Sequence, residues 1–166
     1  MANARPHEFK LVAERKGDTE ISLQRKFRGP KNLVFECFTN PELLSQWLGC
    51  DIGKTIRCTM DTSIGGNWEH LMKMQNDQIF HTFGQILEFQ LSNRLVRTYI
   101  FNVPKIREAV STETAEFSES NGVTTVNISI KHLSKENRDG HFASGLEGGA
   151  GMSFDGLDRL LEKKLA

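Results

Sequence analysis

The sequence has no excess of either charge: Lys plus Arg and Asp plus Glu stand at 21 each. That balance argues against a broad nucleic-acid or anionic-membrane surface, which needs a basic excess. Long apolar runs are missing as well, and none approaches the roughly 20 residues that span a bilayer. The opening "MANARPHEFKLVAERKGD" contains no apolar stretch of the secretory kind, so a cytoplasmic protein is expected. Cysteine is scarce. Cys37, Cys50 and Cys58 are odd in number and form no C-x-x-C pair. They fit a reducing compartment and read as structural thiols. No G-x-S-x-G motif occurs, and Gly65-Gly66 lacks the Lys-Ser/Thr that would make it a phosphate loop. His70, His81 and Cys58 can be imagined as a metal set, but no spacing demands it. No metal and no cofactor is therefore expected. There are no internal repeats and no linker.

What is present is a patterned chain of 166 residues, 38% hydrophobic and 25% charged, long enough for one domain with a sizeable core. "EISLQRKF" alternates Ile21, Leu23 and Phe27 with polar residues, as a half-buried strand does. Arg25 interrupts that face and suggests a strand ending near a rim. Gly29 and Pro30 read as the cap and first position of a helix carrying Leu33, Val34, Cys37 and Phe38. Asn40-Pro41 stops it and starts a second, with Leu43, Leu44, Trp47 and Leu48 as its stripe and Gly49 at its end. From about residue 53 to 132 the period changes to two. "TIRCTM", "NWEHLMKM", "IFHTFGQILEF", "RLVRTYIF", "TETAEFSES" and "VTTVNISIK" read as antiparallel strands. Asn121-Gly122 is a two-residue hairpin signal. It pairs Ser120 with Val123, Phe117 with Val126 and Ala115 with Ile128, placing the apolar members on one face. In "GLEGGAGMSFDGLDRLLEKKLA" helical spacing returns, with Leu146, Ala150, Phe154, Leu157 and Leu161 on one stripe. The fold class expected is α+β: a curved antiparallel sheet of about six to seven strands gripping a long C-terminal helix, with two short helices after the first strand. Residues 1–18 read as a flexible arm and residues 19–166 as a single domain.

Several stretches resemble one known family. "FRGPKNLVFECFTNPELLSQWLG" is similar to a proline-led helix followed by T-x-P and an aliphatic helix ending in Trp. "GGNWEHLM" resembles a Gly-Gly-x-aromatic strand ending in Met. "FGQILEF" with "NRLVRTY", and "ASGLEGGAGMSFDGLDRLL", resemble the strand pair and final helix of the same proteins. The chain thereby resembles the START-like (SRPBCC) superfamily with its helix-grip fold, and more narrowly the family named after the activator of the heat-shock protein 90 ATPase. The resemblance covers roughly residues 19 to 165. "QNDQ" stands where the family often has Pro-Asp-Gly, and Gly149 where it often has a large aromatic. The resemblance implies a cavity between sheet and helix, which across the superfamily takes lipids, sterols, polyketides or other apolar molecules. A chaperone-activating role belongs, in the family, to proteins carrying an extra domain that this chain is too short to hold.

The expected function is non-catalytic binding of a small apolar or lipid-like ligand, with no catalytic residue assigned. The expected lining is Trp47, Trp68, His70, Met72, Tyr99, Phe101, Met152 and Phe154, with His70 orienting the ligand. Two alternatives stay open. One is a chaperone-associated module that binds protein through surface patches or a sheet edge, with a role in the stress response. The other is a cyclase, hydratase or detoxifying enzyme using His70 as acid–base. The glycines around Gly149 read either as close packing or as space left for a ligand. Partners expected are a small apolar molecule or a chaperone, with no nucleic acid and no membrane. Monomer and homodimer are both compatible with the sequence.

Overall fold

The alternating segments become one antiparallel sheet. A computed structural model describes residues 7–104 and 106–166. Its strands are β1 (Val12–Lys16), β2 (Glu20–Arg28), β3 (Gly53–Met60), β4 (Asn67–Met74), β5 (Ile79–Gln90), β6 (Arg94–Phe101), β7 (Ser111–Ser120) and β8 (Val123–Lys131). They lie in the order β1-β2-β8-β7-β6-β5-β4-β3. Bulges between Thr55 and Arg57 and between Ile86 and Glu88 break the register. Such insertions raise twist and curl the sheet. The Asn121-Gly122 turn takes positive φ at both residues. It pairs Ser120 with Val123, Phe117 with Val126 and Ala115 with Ile128, as the alternation predicts.

Four helices accompany the sheet: α1 (Lys31–Thr39), α2 (Pro41–Trp47), α3 (Lys135–Ala143) and α4 (Leu146–Leu165). Asn40 Oδ1 accepts from the Glu42 N–H at 3.0 Å, so Asn40 caps α2 with Pro41 in its first turn. Gly49 follows α2 with φ +68°, the left-handed conformation that suits a residue just past a helix end.

Four expectations need correction. The eighth strand, β1, lies inside the segment read as an arm. Residues 1–6 of that arm fall outside the described residues, but Val12–Lys16 pairs along β2. Helix α1 begins after Pro30 rather than at it. Gly29 is held to the sheet instead, donating to Gly122 O at 2.9 Å and accepting from Thr124 Oγ1 at 2.8 Å. Helix α3 was not expected at all. Ser134 caps it, accepting from the Asn137 N–H at 3.1 Å. Buried Arg138 then ties it to β1 and β2 by donating to the carbonyls of Lys16, Gly17 and Glu20.

The fourth correction concerns Arg25. It does not end its strand at a rim. Strand β2 continues to Arg28, and Arg25 points into the core between Leu23 and Phe27 with 2% exposure. A buried guanidinium is very costly without partners. Two carboxylates one turn apart on α4 provide them: Arg25 Nη2 donates to Asp155 at 3.1 Å and also to Asp158. The Arg25 guanidinium also lies 4.9 Å from the Phe27 ring centre. This cluster fastens the second half of α4 to β2.

Around it the apolar core closes. Phe27, Phe38, Trp47 and Phe154 pack ring to ring between β2, α1, α2 and α4. Gly156 lets α4 approach α2, since a Cβ there would stand 2.7 Å from Cys50 Sγ and 3.2 Å from Trp47 O. Ser153 Oγ accepts from the Gly49 N–H at 3.0 Å at the same crossing. Removing both carboxylates (Asp155→Ala with Asp158→Ala) strands a buried cation. We expect a loss of about 3–5 kcal/mol in urea unfolding. A loss below about 1 kcal/mol would show that Arg25 does not depend on this pairing.

Candidate ligand site on the inner face of the sheet

Helix α4 is packed unevenly. Its buried residues are Ser153, Phe154, Gly156, Leu157, Leu160 and Leu161, all from Ser153 onward. No residue from Leu146 to Met152 is buried. Leu146 and Ala150 touch the core only in part. At Gly148, Gly149 and Gly151 a Cβ would meet nothing within 4 Å. The glycines therefore divide: Gly156 permits close approach to α2, and the other three face open space.

The inner face of β4, β5, β6 and β7 carries the remaining candidates. Alternation places Trp68, His70 and Met72 there from β4, and Arg97, Tyr99 and Phe101 from β6. Trp68 pairs across the sheet with Gly84. A Cβ at Gly84 would fall 2.0 Å from Thr98 O and 2.8 Å from Trp68 Nε1. Its absence lets Trp68 Nε1 donate to Thr98 O at 2.9 Å. Across the same gap Trp68 and Tyr99 meet with ring centres 5.1 Å apart. Tyr99 continues to Phe101 at 5.2 Å, and Phe101 to His141 of α3 at 5.6 Å.

A charge pair lies beside this ladder. Arg97 and Glu113 are direct partners on β6 and β7. Arg97 Nε and Nη2 both donate to Glu113 Oε1, at 3.2 and 2.9 Å. Their side chains are only 13% and 17% exposed. The guanidinium also covers the Trp68 ring at 4.1 Å and Tyr99 at 5.5 Å. Burial and the Glu113 charge push the Tyr99 hydroxyl up, against the opposing pull of Arg97 and a hydrogen bond with Thr82. At the end of the ladder His132 Nε2 and His141 Nδ1 lie 3.0 Å apart. His132 Nδ1 is buried and has no partner among the described residues. An orphaned acceptor is better tolerated than an orphaned N–H, so the favoured tautomer protonates His132 at Nε2, which donates to His141. Burial holds both rings below the usual histidine range, His132 at about 4.

The expected lining is only partly brought together. Trp68, Tyr99 and Phe101 form one cluster. Trp47 and Phe154 stack on each other 5.9 Å apart in the core near Phe27. Met72 is buried beneath Gly49, where an added Cβ would meet its Sδ at 2.5 Å. Met152 is 41% exposed. His70 is 2% exposed, and its Nε2 hydrogen-bonds Thr55 Oγ1 at 2.9 Å. Burial first, then the Arg97 charge, lowers it to about 4. Its partner is a hydroxyl and not a carboxylate, which counts against general acid–base work. His81 projects from the other face, bound to Glu69 at 2.9 Å and Asn102 at 2.9 Å. It therefore does not join His70. Cys58 lies opposite His70 on β3, and burial pushes its thiol up to about 11. Among the described residues, His7, Asp155 and Asp158 have the spacing of a metal set. Arg25 already occupies that position as the cation.

The family model for "Activator of Hsp90 ATPase homolog 1-like protein" matches residues 28–162. The chain belongs to this family. Solved structures share its fold. A protein of Rhodobacter sphaeroides is 17% identical with a TM-score of 0.86, covering 93% of this chain and 99% of its own. One from Nitrosomonas europaea is 26% identical with a TM-score of 0.76, covering 90% and 98%. One from Staphylococcus epidermidis is 22% identical with a TM-score of 0.77, covering 93% and 96%. No curated protein matches the chain. As a member of this family, the chain is at family level a ligand-binding or chaperone-activator-like module. Among the described residues no helix is long and apolar enough to cross a membrane.

Sequence reasoning missed Arg97, Glu113, His132 and His141. The first two were within reach. Alternation puts Arg97 on the face of Tyr99 and Phe101, and Glu113 on the face of Ala115 and Phe117. The histidines required α3.

The depressed histidines set a pH dependence. A group whose folded pKa is lowered stabilises the fold above its unfolded value, and that contribution is lost as pH falls toward the folded one. His70 drops from 6.5 to about 4. Stability should therefore decline from about pH 6.5 downward. Urea unfolding at pH 7 and pH 5 should show a smaller decline in His70→Gln than in the parent. An equal decline would remove His70 as a contributor.

Proposed function

We propose that the protein is a non-catalytic carrier or sensor of a small, mainly apolar molecule. The molecule is held between the first half of α4 and the inner face of β4 to β7. One observation carries this reading. A Cβ at Gly148, Gly149 or Gly151 would meet nothing within 4 Å, and no residue from Leu146 to Met152 is buried, while one face of α4 from Ser153 to Leu161 is packed into the core. Binding sites are mostly apolar walls with a few placed polar groups, and Trp68, Tyr99 and Phe101 with Arg97 and Glu113 have that composition. Three interior glycines weaken a helix by about 0.5–1 kcal/mol each relative to alanine. Space for a ligand explains their retention where no neighbour requires them.

A second reading rests on the sheet edge. Strand β3 ends the sheet order, and a groove of about 470 Å³ runs between it and α2, lined by Pro41, Glu42, Leu48, Lys54, Ile56 and Arg57. An extended segment of a partner such as a chaperone pairs with an edge of this kind. The bulge between Thr55 and Arg57 interrupts the edge and makes it a poorer template. Stimulation of a chaperone ATPase is the assay for this reading.

Filling the space tests the first. Gly149→Trp adds a large ring at a position where a Cβ meets nothing within 4 Å. Naphthalene titrated into labelled protein should shift amide resonances of Trp68, Tyr99 and Phe101 in the parent. In the variant its affinity should fall at least about tenfold, with the melting temperature nearly unchanged. Equal shifts in both proteins would contradict the assignment of the site.

A further inference from the structure

Helix α3 is short and polar, and two sets of contacts hold it to the sheet. In its first half, buried Arg138 donates to the carbonyls of Lys16, Gly17 and Glu20. In its last turn, His141 meets His132 and the Phe101 ring, and Phe142 lies under the exposed Arg15 guanidinium at 4.9 Å. His132 is the fixed member of the histidine pair. It follows directly on β8, and its backbone N–H donates to Thr19 O at 2.9 Å. His141 sits two residues before the end of α3, where Gly145 turns the chain into α4 with φ +90°.

One proton serves the contact between the two rings. His132 Nε2 donates to His141 Nδ1 over 3.0 Å, and the buried His132 Nδ1 keeps a bare lone pair. A further proton has no good place. On His132 it turns Nδ1 into a buried N–H with no acceptor among the described residues. On His141 it turns Nδ1 into a donor, which must face a lone pair on His132 Nε2. His132 then carries its own proton on Nδ1, and the same orphaned N–H results. An unmade buried donor is costlier than a bare acceptor. With both rings charged, two donors and two cations oppose each other. The surrounding charges do not resolve this conflict. Arg138 of α3 acts against a charge on His132. Glu113 of β7 favours one on His141, but Arg97 of β6 already engages it. Asp139 is held by Arg138 and Arg15, and Lys131 beside His132 is exposed and of like sign. Both rings are held below the usual histidine range by burial. Their contribution is therefore complete above about pH 6.5 and is lost as pH falls.

We propose that the His132–His141 pair is an acid-sensitive catch: taking up a proton frees the last turn of α3 from β8 and Phe101, while Arg138 keeps the first half on β1 and β2. Amide hydrogen exchange at Phe142 to Ser144, taken relative to the free-peptide rate at each pH, tests this. In the parent, protection should fall about tenfold or more between pH 7 and pH 5. Dilute urea should leave that fall unchanged, because a local opening exposes little surface. The variant His132→Gln separates the catch from other effects of acid. Its carboxamide can donate to a neutral His141 or turn to accept from a charged one. Protection at pH 7 should persist in this variant and its dependence on pH should largely vanish. Level protection down to pH 5 in the parent would overturn the proposal. So would a fall that steepens with urea as global unfolding does, or an equal fall in His132→Gln.

Discussion

Arg25 is the constraint on which the rest of the structure depends. A guanidinium on the inner face of β2 has to be neutralised where it stands, and the nearest element able to do so is α4. Asp155 and Asp158 sit one turn apart, so both reach one guanidinium. Their position sets the height of the helix over the sheet. The interaction need not add net stability, because desolvating three charges offsets much of their attraction. Its effect is specificity: slide α4 by one turn and Arg25 keeps at most one of its two carboxylates.

The consequences run in both directions along the helix. Toward the C-terminus, the fixed register brings Gly156 against Trp47 O and Cys50 Sγ, and Phe154 onto Trp47. A larger residue at Gly156 would have to displace Cys50 Sγ and press on Trp47 O. Toward the N-terminus the same register carries Leu146 to Met152 across the sheet without burying any of them. There the sheet contributes polar and aromatic groups in place of aliphatic ones. Arg97, Glu113 and Tyr99 are not suited to close packing under a helix. The proposed ligand site draws on both features, the unburied start of α4 and the polar part of the inner face.

Much of the fold was legible because period-two alternation and turn chemistry are local. The Asn121-Gly122 hairpin register followed from turn type alone. Asn40-Pro41 separated two helices by capping alone. What was not legible depended on distant partners. Arg25 read as a strand end because its carboxylates lie 130 and more residues away. Strand β1 shows little burial of its own and exists by pairing with β2. Helix α3 is polar, and its anchor is the single buried Arg138. At the site, Trp68, Tyr99 and Phe101 were found by their apolar pattern. The same pattern also marks Trp47 and Phe154, which stack on each other in the core near Phe27. Arg97 and Glu113 are harder to read because charged residues on an inner face look like exceptions to the alternation.

The central claim is that α4 is fixed at one end and open at the other. Amide hydrogen exchange along the helix measures this directly, since protection follows local stability. The account predicts that amides from Phe154 to Leu161 exchange only through global unfolding, whereas those from Gly149 to Met152 exchange faster through local opening. Uniform protection along the whole helix would contradict it.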